Sequence, residues 1–450
     1  MLDTKSLGVL SQALAKLDSC FHNLPEFADG SANIEQMNQV LLATAEKLQN
    51  NFPYFHPLYA GQMLKPPHPI ARLAYMLAMY INPNNHALDG GRATSAMEKD
   101  AVAEIAAMFG WREFLGHLCG GGTMANMEAL WVAGQIHPRK KIVANEQAHY
   151  THKRISAVLQ LGFEAIRCDN LGRIDLEALE SRVKKGDVGT VVATLGTTAT
   201  GSVDPLGEIL ALRDRYGFRI HVDAAYGGYF KLASNLAAPA KQSFANIDRA
   251  DSVVIDPHKH GLQPYGCGCV LFRDPAVGKL YKHESPYTYF SSAELHLGEI
   301  SLECSRPGAA AAALWATQKL LPLTPDGEFA KGLETGREAA LQLYARLDQD
   351  QRFAPAFEPE LDIVVFLPEE PNMERTSTRS RNVFGAAAKR DLHLAVAELP
   401  LRFWRNTSFA TADPAETITS LRSVLMKPEH LEWVESIWER LLAAHSDTRF

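Results

Sequence analysis

Nowhere in the 450 residues does an apolar run reach the ~18 residues of a membrane-spanning helix, and Met1-Leu2-Asp3-Thr4-Lys5 lacks the basic flank and apolar core of an export signal,. These absences predict a soluble, cytoplasmic chain with no membrane partner. Cysteine is scarce. Cys20, Cys119, Cys168, Cys267, Cys269 and Cys304 are too few for a disulfide framework in a chain this long, which suits reduced thiols,. Cys267 and Cys269 form C-x-C rather than C-x-x-C and lie in an apolar segment, so they read as buried strand thiols and no metal site is expected,. No block of like charge occurs, and 52 acidic against 45 basic residues give a net charge of −7, which disfavours a nucleic-acid partner,. Repeats and low-complexity tracts are absent too. What remains is ordinary globular composition, 46% hydrophobic and 22% charged,. A chain of 49.6 kDa buries about three quarters of its extended surface and needs no disulfide or metal to hold its core.

The first ~55 residues read as helix, with Leu10, Leu14 and Leu17 at three-to-four spacing. The Pro-rich stretch from His56 to Pro67 excludes a long regular element, because each proline removes a backbone donor,. Ser95-Ala96-Met97-Glu98 resembles a capping box opening a helix through Val102, Ile105, Met108 and Phe109, with Gly110 as its stop,. Between residues 115 and 275, Ile142–Ala144, Thr190–Ala193, Arg219–Val222 and Ser252–Ile255 alternate with helical patterns. These runs are apolar on both faces, as in a mostly parallel sheet covered by helices, with binding groups at the strand carboxyl ends. Ala309–Leu321 reads as helix, Leu361–Leu367 as strand, Pro368–Arg375 as polar loop, and Val383–Lys389 and Leu431–Ala444 as helix,.

Five segments carry chemistry. Lys259, in Asp256-Pro257-His258-Lys259-His260-Gly261, follows a buried strand, where an amine could form a Schiff base; alone it reads as a loop lysine,. Asp223, in His221-Val222-Asp223-Ala224-Ala225, could pair with a protonated pyridine nitrogen while Ala225 leaves a flat space, although helix capping explains it equally well,. Gly120-Gly121-Gly122-Thr123 feeds a helix and offers bare N–H groups and a hydroxyl to a phosphate,. No Gly-Lys-Ser/Thr follows, which excludes a Walker loop. His149 could stack on an aromatic cofactor, or with His152 offer a metal pair that lacks further ligands,. The run Thr194–Pro205 adds hydroxyls, Thr197 among them. Taken singly each is ordinary. In this order, each at a strand end or helix start, they point to one site.

The ordered set resembles the pyridoxal-phosphate-dependent group II amino-acid decarboxylases, the family of aromatic amino-acid, glutamate and diaminobutyrate decarboxylases, over His56 to Thr411. The resemblance implies an α/β fold of type I, aspartate aminotransferase-like: an N-terminal helical segment (1–85), a large domain with a mostly parallel sheet that binds pyridoxal 5'-phosphate (86–320), and a small C-terminal α+β domain (321–450). It also implies a homodimer. Lys259 would carry the cofactor, Asp223 would face its ring nitrogen, and His149 and Ala225 would take the ring faces. Gly121, Gly122 and Thr123 would hold the phosphate, Thr197 would sit near the phenolic oxygen, and His258 matches the family pattern. On the substrate side the resemblance assigns Tyr59 and Gln62, in the access segment His56-Pro57-x-x-x-x-Gln62, and Arg402 as the carboxylate anchor. Two departures stand out. Asp256 replaces the usual asparagine of aromatic decarboxylases, and the spacing to a loop tyrosine lands on Leu295, which leaves Tyr287 or Tyr289 as proton donor.

The implied activity is α-decarboxylation of an L-amino acid to its amine. Aldehyde-forming or other lyase chemistry on the same cofactor is the nearer alternative, and a catalytically silent binding relative the distant one. Gln62 favours a polar or acidic substrate, whereas Tyr59, Tyr287 and Tyr289 would suit an aromatic one.

Overall fold

The computed structural model describes residues 4–25, 33–282, 295–404 and 416–448. Two helices, α1 (Leu7–Asp18) and α2 (Ile34–Leu48), make up the N-terminal arm. The Asn33 side chain caps α2 by accepting from Gln36 N at 3.0 Å,. No residue of α2 is buried, so its apolar side chains face outwards within this single chain. The proline-rich stretch forms no helix and only the isolated bridge between Tyr59 and His393. Regular structure resumes at α3 (Pro69–Met79), where the proline sits in the first turn and has no N–H to leave unpaired,.

The expected capping box at Ser95 does not form. Helix α4 (Leu88–Met108) starts earlier, kinks at Gly91, and contains Ser95 as a buried interior residue whose hydroxyl has no hydrogen-bond partner. Glu98 is engaged elsewhere. Its carboxylate, 2% exposed, accepts from Arg306 Nη1 at 2.7 Å, Leu118 N at 2.9 Å and Asn85 Nδ2 at 2.6 Å. Satisfying a buried charge outweighs a cap of ~1 kcal/mol. Gly110, with φ of +91°, ends the segment as expected,.

The large sheet contains β1 (Leu115–Cys119), β2 (Lys141–Asn145), β3 (Phe163–Ile166), β4 (Val188–Thr194), β5 (Arg219–Asp223), β6 (Ser252–Ile255) and β7 (Gly268–Phe272), in the order β1-β7-β6-β5-β4-β2-β3. Strands β3, β2, β4, β5 and β6 pair in parallel, while β7 runs antiparallel to both β6 and β1. Helices α5 (Gly122–Ile136), α6 (Thr151–Val158), α7 (Leu176–Val183), α8 (Leu206–Tyr216), α9 (Ala238–Ala245) and α10 (Gly278–Tyr281) accompany them. All seven residues of β4 are buried, which explains why neither face of it carries a charged side chain,. Register sets the site: Thr194 pairs with Asp223, and Asp223 with Val254, two residues before Asp256.

After α11 (Gly308–Leu320) and α12 (Glu328–Gln349), a second antiparallel sheet runs β10-β11-β9-β8. Its strands are β8 (Phe353–Pro355), β9 (Ile363–Pro368), β10 (Ala395–Pro400) and β11 (Thr417–Val424), with α13 (Met373–Ala388) and α14 (His430–Asp447). Val364, Phe366 and Leu421 share a core with Leu343 of α12, Val383 of α13 and Val434 of α14. The expected loop 368–375 is shorter than its composition suggests. Asn372 caps α13 through Arg375 N at 3.0 Å, so residues 373–375 are already helical,.

Candidate active site

A cavity of about 490 Å³ opens where β4, β5 and β6 end and α5 begins. Gly121 precedes α5 with φ of +137°, and no side chain caps the helix. A Cβ on Gly122 would come within 2.6 Å of Asp256 Oδ2, so only glycine leaves these amides open,. Thr123 Oγ1 lies 3.3 Å from Thr151 Oγ1, and Gly120 N donates to Glu303 Oε2 at 3.0 Å. The helix N-terminus thus presents N–H groups, a hydroxyl and the positive dipole end to one small space.

Asp223 lies at the opposite wall. Its Oδ2 is 2.8 Å from His152 Nε2, and its Oδ1 accepts from Ala225 N at 3.1 Å. Burial would raise the Asp223 carboxyl, but the His152 hydrogen bond and the charges of His152, Lys259 and His221 prevail and hold it well below the usual carboxylate range,. An ionised carboxylate only accepts, so His152 Nε2 carries the proton between them. Ala225 and His149 also line the cavity. Burial lowers the His149 pKa, and Thr151 N donates to its Nδ1 at 3.3 Å, which leaves the proton of the neutral ring on Nε2,.

Lys259 Nζ is 3.1 Å from Asp256 Oδ2, and His258 Nε2 is 3.6 Å from the same oxygen. Asp256 is 2% exposed, and its Oδ1 and the His258 Nδ1 lack hydrogen-bond partners. Burial lowers the His258 pKa.

The structure therefore brings together Gly121, Gly122, Thr123, His149, Asp223, Ala225, His258 and Lys259 around one cavity. It does not place Thr197 or Tyr59 there. Thr197 is fully buried, with Oγ1 2.7 Å from Thr200 Oγ1 and accepting from Ser202 N at 3.0 Å; Thr194 and Thr198 line the cavity instead. Tyr59 is 5% exposed and packs against Tyr54, with ring centroids 4.9 Å apart. Arg402 does not line the cavity either. Its Nη1 reaches Cys168 O at 3.1 Å and Glu146 Oε1 at 3.3 Å. Gln62 does not line the cavity, nor does Arg422 on β11, which sequence reasoning missed and which reaches the cavity wall through Thr198: it donates through Nη2 to Thr198 O at 2.7 Å, and through Nη1 to Gln62 Oε1 at 3.3 Å and Gly61 O at 3.0 Å. A lone arginine inside the otherwise uncharged strand 417–424 was the available signal. Glu303 at the glycine turn and His152 behind Asp223 were also missed as site residues. Tyr287 and Tyr289 lie outside the described residues. Among the described residues no three His, Cys, Asp or Glu side chains are grouped to hold a metal.

The family model of the pyridoxal-dependent decarboxylase conserved domain matches residues 124–368, more than half of the chain. An L-tyrosine decarboxylase of Enterococcus faecium is 28% identical over 422 residues, covering 71% of this chain and 69% of that protein. An aspartate 1-decarboxylase of Aliivibrio fischeri is 34% identical over 228 residues, covering 44% of this chain and 41% of that protein. Among solved structures, mouse CSAD superposes with a TM-score of 0.79 at 20% identity, over 98% of this chain and 99% of that one. Oryza sativa TDC with PLP and tryptamine gives a TM-score of 0.79 at 16% identity, over 99% of each chain. The fold is type I. The site fits the cofactor: open amides suit a phosphate, an ionised Asp223 suits a protonated ring nitrogen, and a lysine amine faces the same space,. On the family match and this fit, the chain belongs to the pyridoxal-dependent decarboxylases and uses pyridoxal phosphate to remove carbon dioxide from an amino acid.

Proposed function

We propose that the chain decarboxylates a polar L-amino acid, aspartate first, at its α-carbon to give carbon dioxide and the amine. Bound pyridoxal phosphate supplies an aldehyde that condenses with amines and a protonated ring that accepts the electron pair left by the departing carbon dioxide. Gly121, Gly122 and Thr123 would hold the phosphate, and Lys259 would supply the amine that carries the cofactor. Asp223 keeps the ring nitrogen protonated. His149 and Ala225 confine the ring, and His258 packs beside Lys259. Arg422, with four of its five donors engaged by Ala199 O, Thr198 O, Gly61 O and Gln62 Oε1, keeps its second Nη2 N–H, on the Thr198 side, for a substrate carboxylate,. Decarboxylation consumes a proton at the α-carbon, and Tyr287, Tyr289 or His149 in its protonated form would deliver it.

The joined Arg422 and Gln62 side chains carry the polar-substrate reading. The aspartate 1-decarboxylase relative agrees with it. Carbon dioxide release should be measured for the twenty amino acids and diaminobutyrate, with products identified. Aspartate yielding β-alanine is the expected result. Tyramine as the only amine, or an aldehyde with ammonia and peroxide, would overturn it.

The chain is also proposed to act as a homodimer. On α2, Ile34, Met37, Val40, Leu41 and Leu42 are all more than half exposed, an apolar stripe that a second copy would cover,. Sedimentation should give twice the 49.6 kDa mass, and Leu41→Glu should shift it towards monomer; a wild-type monomer would contradict the assignment. The limits 1–85, 86–320 and 321–450 remain our proposed domains, since α4 precedes the large sheet and α12 precedes the small one. A cytoplasmic location fits six unbridged cysteines, four of them buried,. Recovery of the chain in an exported fraction would contradict it.

A further inference from the structure

Behind the lysine segment lies a second cavity, of about 430 Å³, bounded by the starts of three helices. His68 caps α3, Glu328 opens α12 and Glu429 precedes α14. Neither α12 nor α14 has a side-chain cap. The leading N–H groups of the 22-residue α12 are therefore without side-chain acceptors at this space, whereas at α14 His430 N and Leu431 N donate to Lys427 O at 3.0 Å and Pro428 O at 3.3 Å and the helix contributes its dipole,.

Two lysines line its interior. Lys427 is 3% exposed and donates to Tyr59 O at 2.6 Å, and the half-buried Lys65 donates to Met426 O at 3.3 Å. Each ammonium has donors beyond that single carbonyl. Neither forms an ion pair within 4.0 Å among the described residues. His260 lines the same cavity, is 1% exposed, and has no hydrogen-bond partner at Nδ1, while its Nε2 stands 3.3 Å from Asp362 Oδ2.

The carboxylates are placed differently. Glu328 and Glu429 are exposed at the rim, as is Lys331, and solvent screens them; Asp362 lies behind and is engaged by Tyr226 Oη at 2.6 Å,. Burial and the neighbouring Lys65 push Lys427 down to about 7, and burial pushes Lys65 down to about 8. Glu429 opposes both shifts, joined at Lys65 by Asp362, without cancelling the effect of burial,.

We propose that this cavity is a second anion site, separate from the cofactor's phosphate cup, which takes free inorganic phosphate or the phosphate group of a small monoester between Lys65, Lys427 and the N-termini of α12 and α14. An anion there would clamp the access segment to β11. Lys427 already holds Tyr59, Lys65 already holds Met426 two residues past β11, that strand carries Arg422, and His260 follows Lys259. Occupancy is therefore expected to change KM more than kcat.

The test uses gel-filtered holoenzyme, whose phosphate cup is filled, and an acetylating reagent with peptide mass analysis. Inorganic phosphate at about ten times its dissociation constant should slow acetylation of Lys65 and Lys427 about tenfold, with the exposed Lys241 and Lys319, which lie outside the cavity, unchanged,. Glycerol phosphate is the parallel arm. A stronger response to it assigns the monoester, and a stronger response to inorganic phosphate assigns the free ion. Potassium chloride at equal ionic strength should not protect. Equal protection by chloride, uniform protection of all lysines, or no protection would each overturn the site. Lys427→Met should abolish any phosphate effect on KM, and Lys65→Gln serves if that variant does not fold; an effect that persists in the folded variant also overturns it.

Discussion

Replacing Lys259 with alanine is expected to eliminate covalent cofactor attachment and lower kcat by about 10³-fold or more. Lys259 is the one lysine among the described residues that lines the cavity, so no neighbouring amine can substitute. Its Nζ is held 3.1 Å from Asp256 Oδ2, in a wall where Asp256 is almost fully buried. The glycine turn and Asp223 survive this substitution, so pyridoxal phosphate should still bind, now removable by dialysis. Absorbance after dialysis separates the two effects. The wild-type chain should keep a visible cofactor band that the alanine variant loses, and a retained band or turnover within tenfold of wild type would remove Lys259 from its role.

The parts of the site that were legible in the sequence are those whose chemistry is local. Asp223, Lys259 and the Gly120–Thr123 turn each sit where an apolar strand stops or a helix starts, and periodicity alone locates such places,. The cysteines behave alike: Cys269 in β7 and Cys267 just before it are buried thiols whose pKa values burial raises, as their apolar surroundings implied. What the sequence left open depended mostly on contacts distant in sequence. Arg402 and Arg422 both follow a leucine, and only the folded chain shows that one faces Glu146 while the other meets Gln62, 360 residues away. Thr197 and Thr198 are adjacent, and which hydroxyl turns inward is decided by Thr200 and Ser202. Ser95 and Glu98 have capping-box spacing, but Arg306 claims the glutamate across more than two hundred residues. His152 looked like half of a metal pair because nothing local reveals that Asp223 is its partner.

That partnership supports the second large effect. Asp223→Asn should lower kcat by ~10²–10³-fold, because an amide cannot keep a proton on the ring nitrogen and the electron sink weakens. His152→Phe should cost less. Losing a hydrogen bond to a charged group is worth about 1.5–3 kcal/mol, roughly 10- to 100-fold in rate. The two variants should also differ in pH dependence. Burial raises the Asp223 carboxyl and the His152 ring is the largest of the opposing influences, so removing that ring moves its pKa up. The acid limb of kcat should then shift to higher pH in His152→Phe, and His152→Gln, which restores an N–H donor, should move it back. Stability follows the same sign. A carboxyl depressed in the folded state stabilises the protein above the ordinary aspartate value of about 3.9, and that contribution is lost only as pH falls through the lower folded value,. The wild-type chain therefore keeps this stabilisation at neutral pH and through mild acid, and His152→Phe should lose it at higher pH. An acid limb unchanged in His152→Phe, measured on folded holoenzyme from pH 4 to 8, would show that His152 does not tune Asp223.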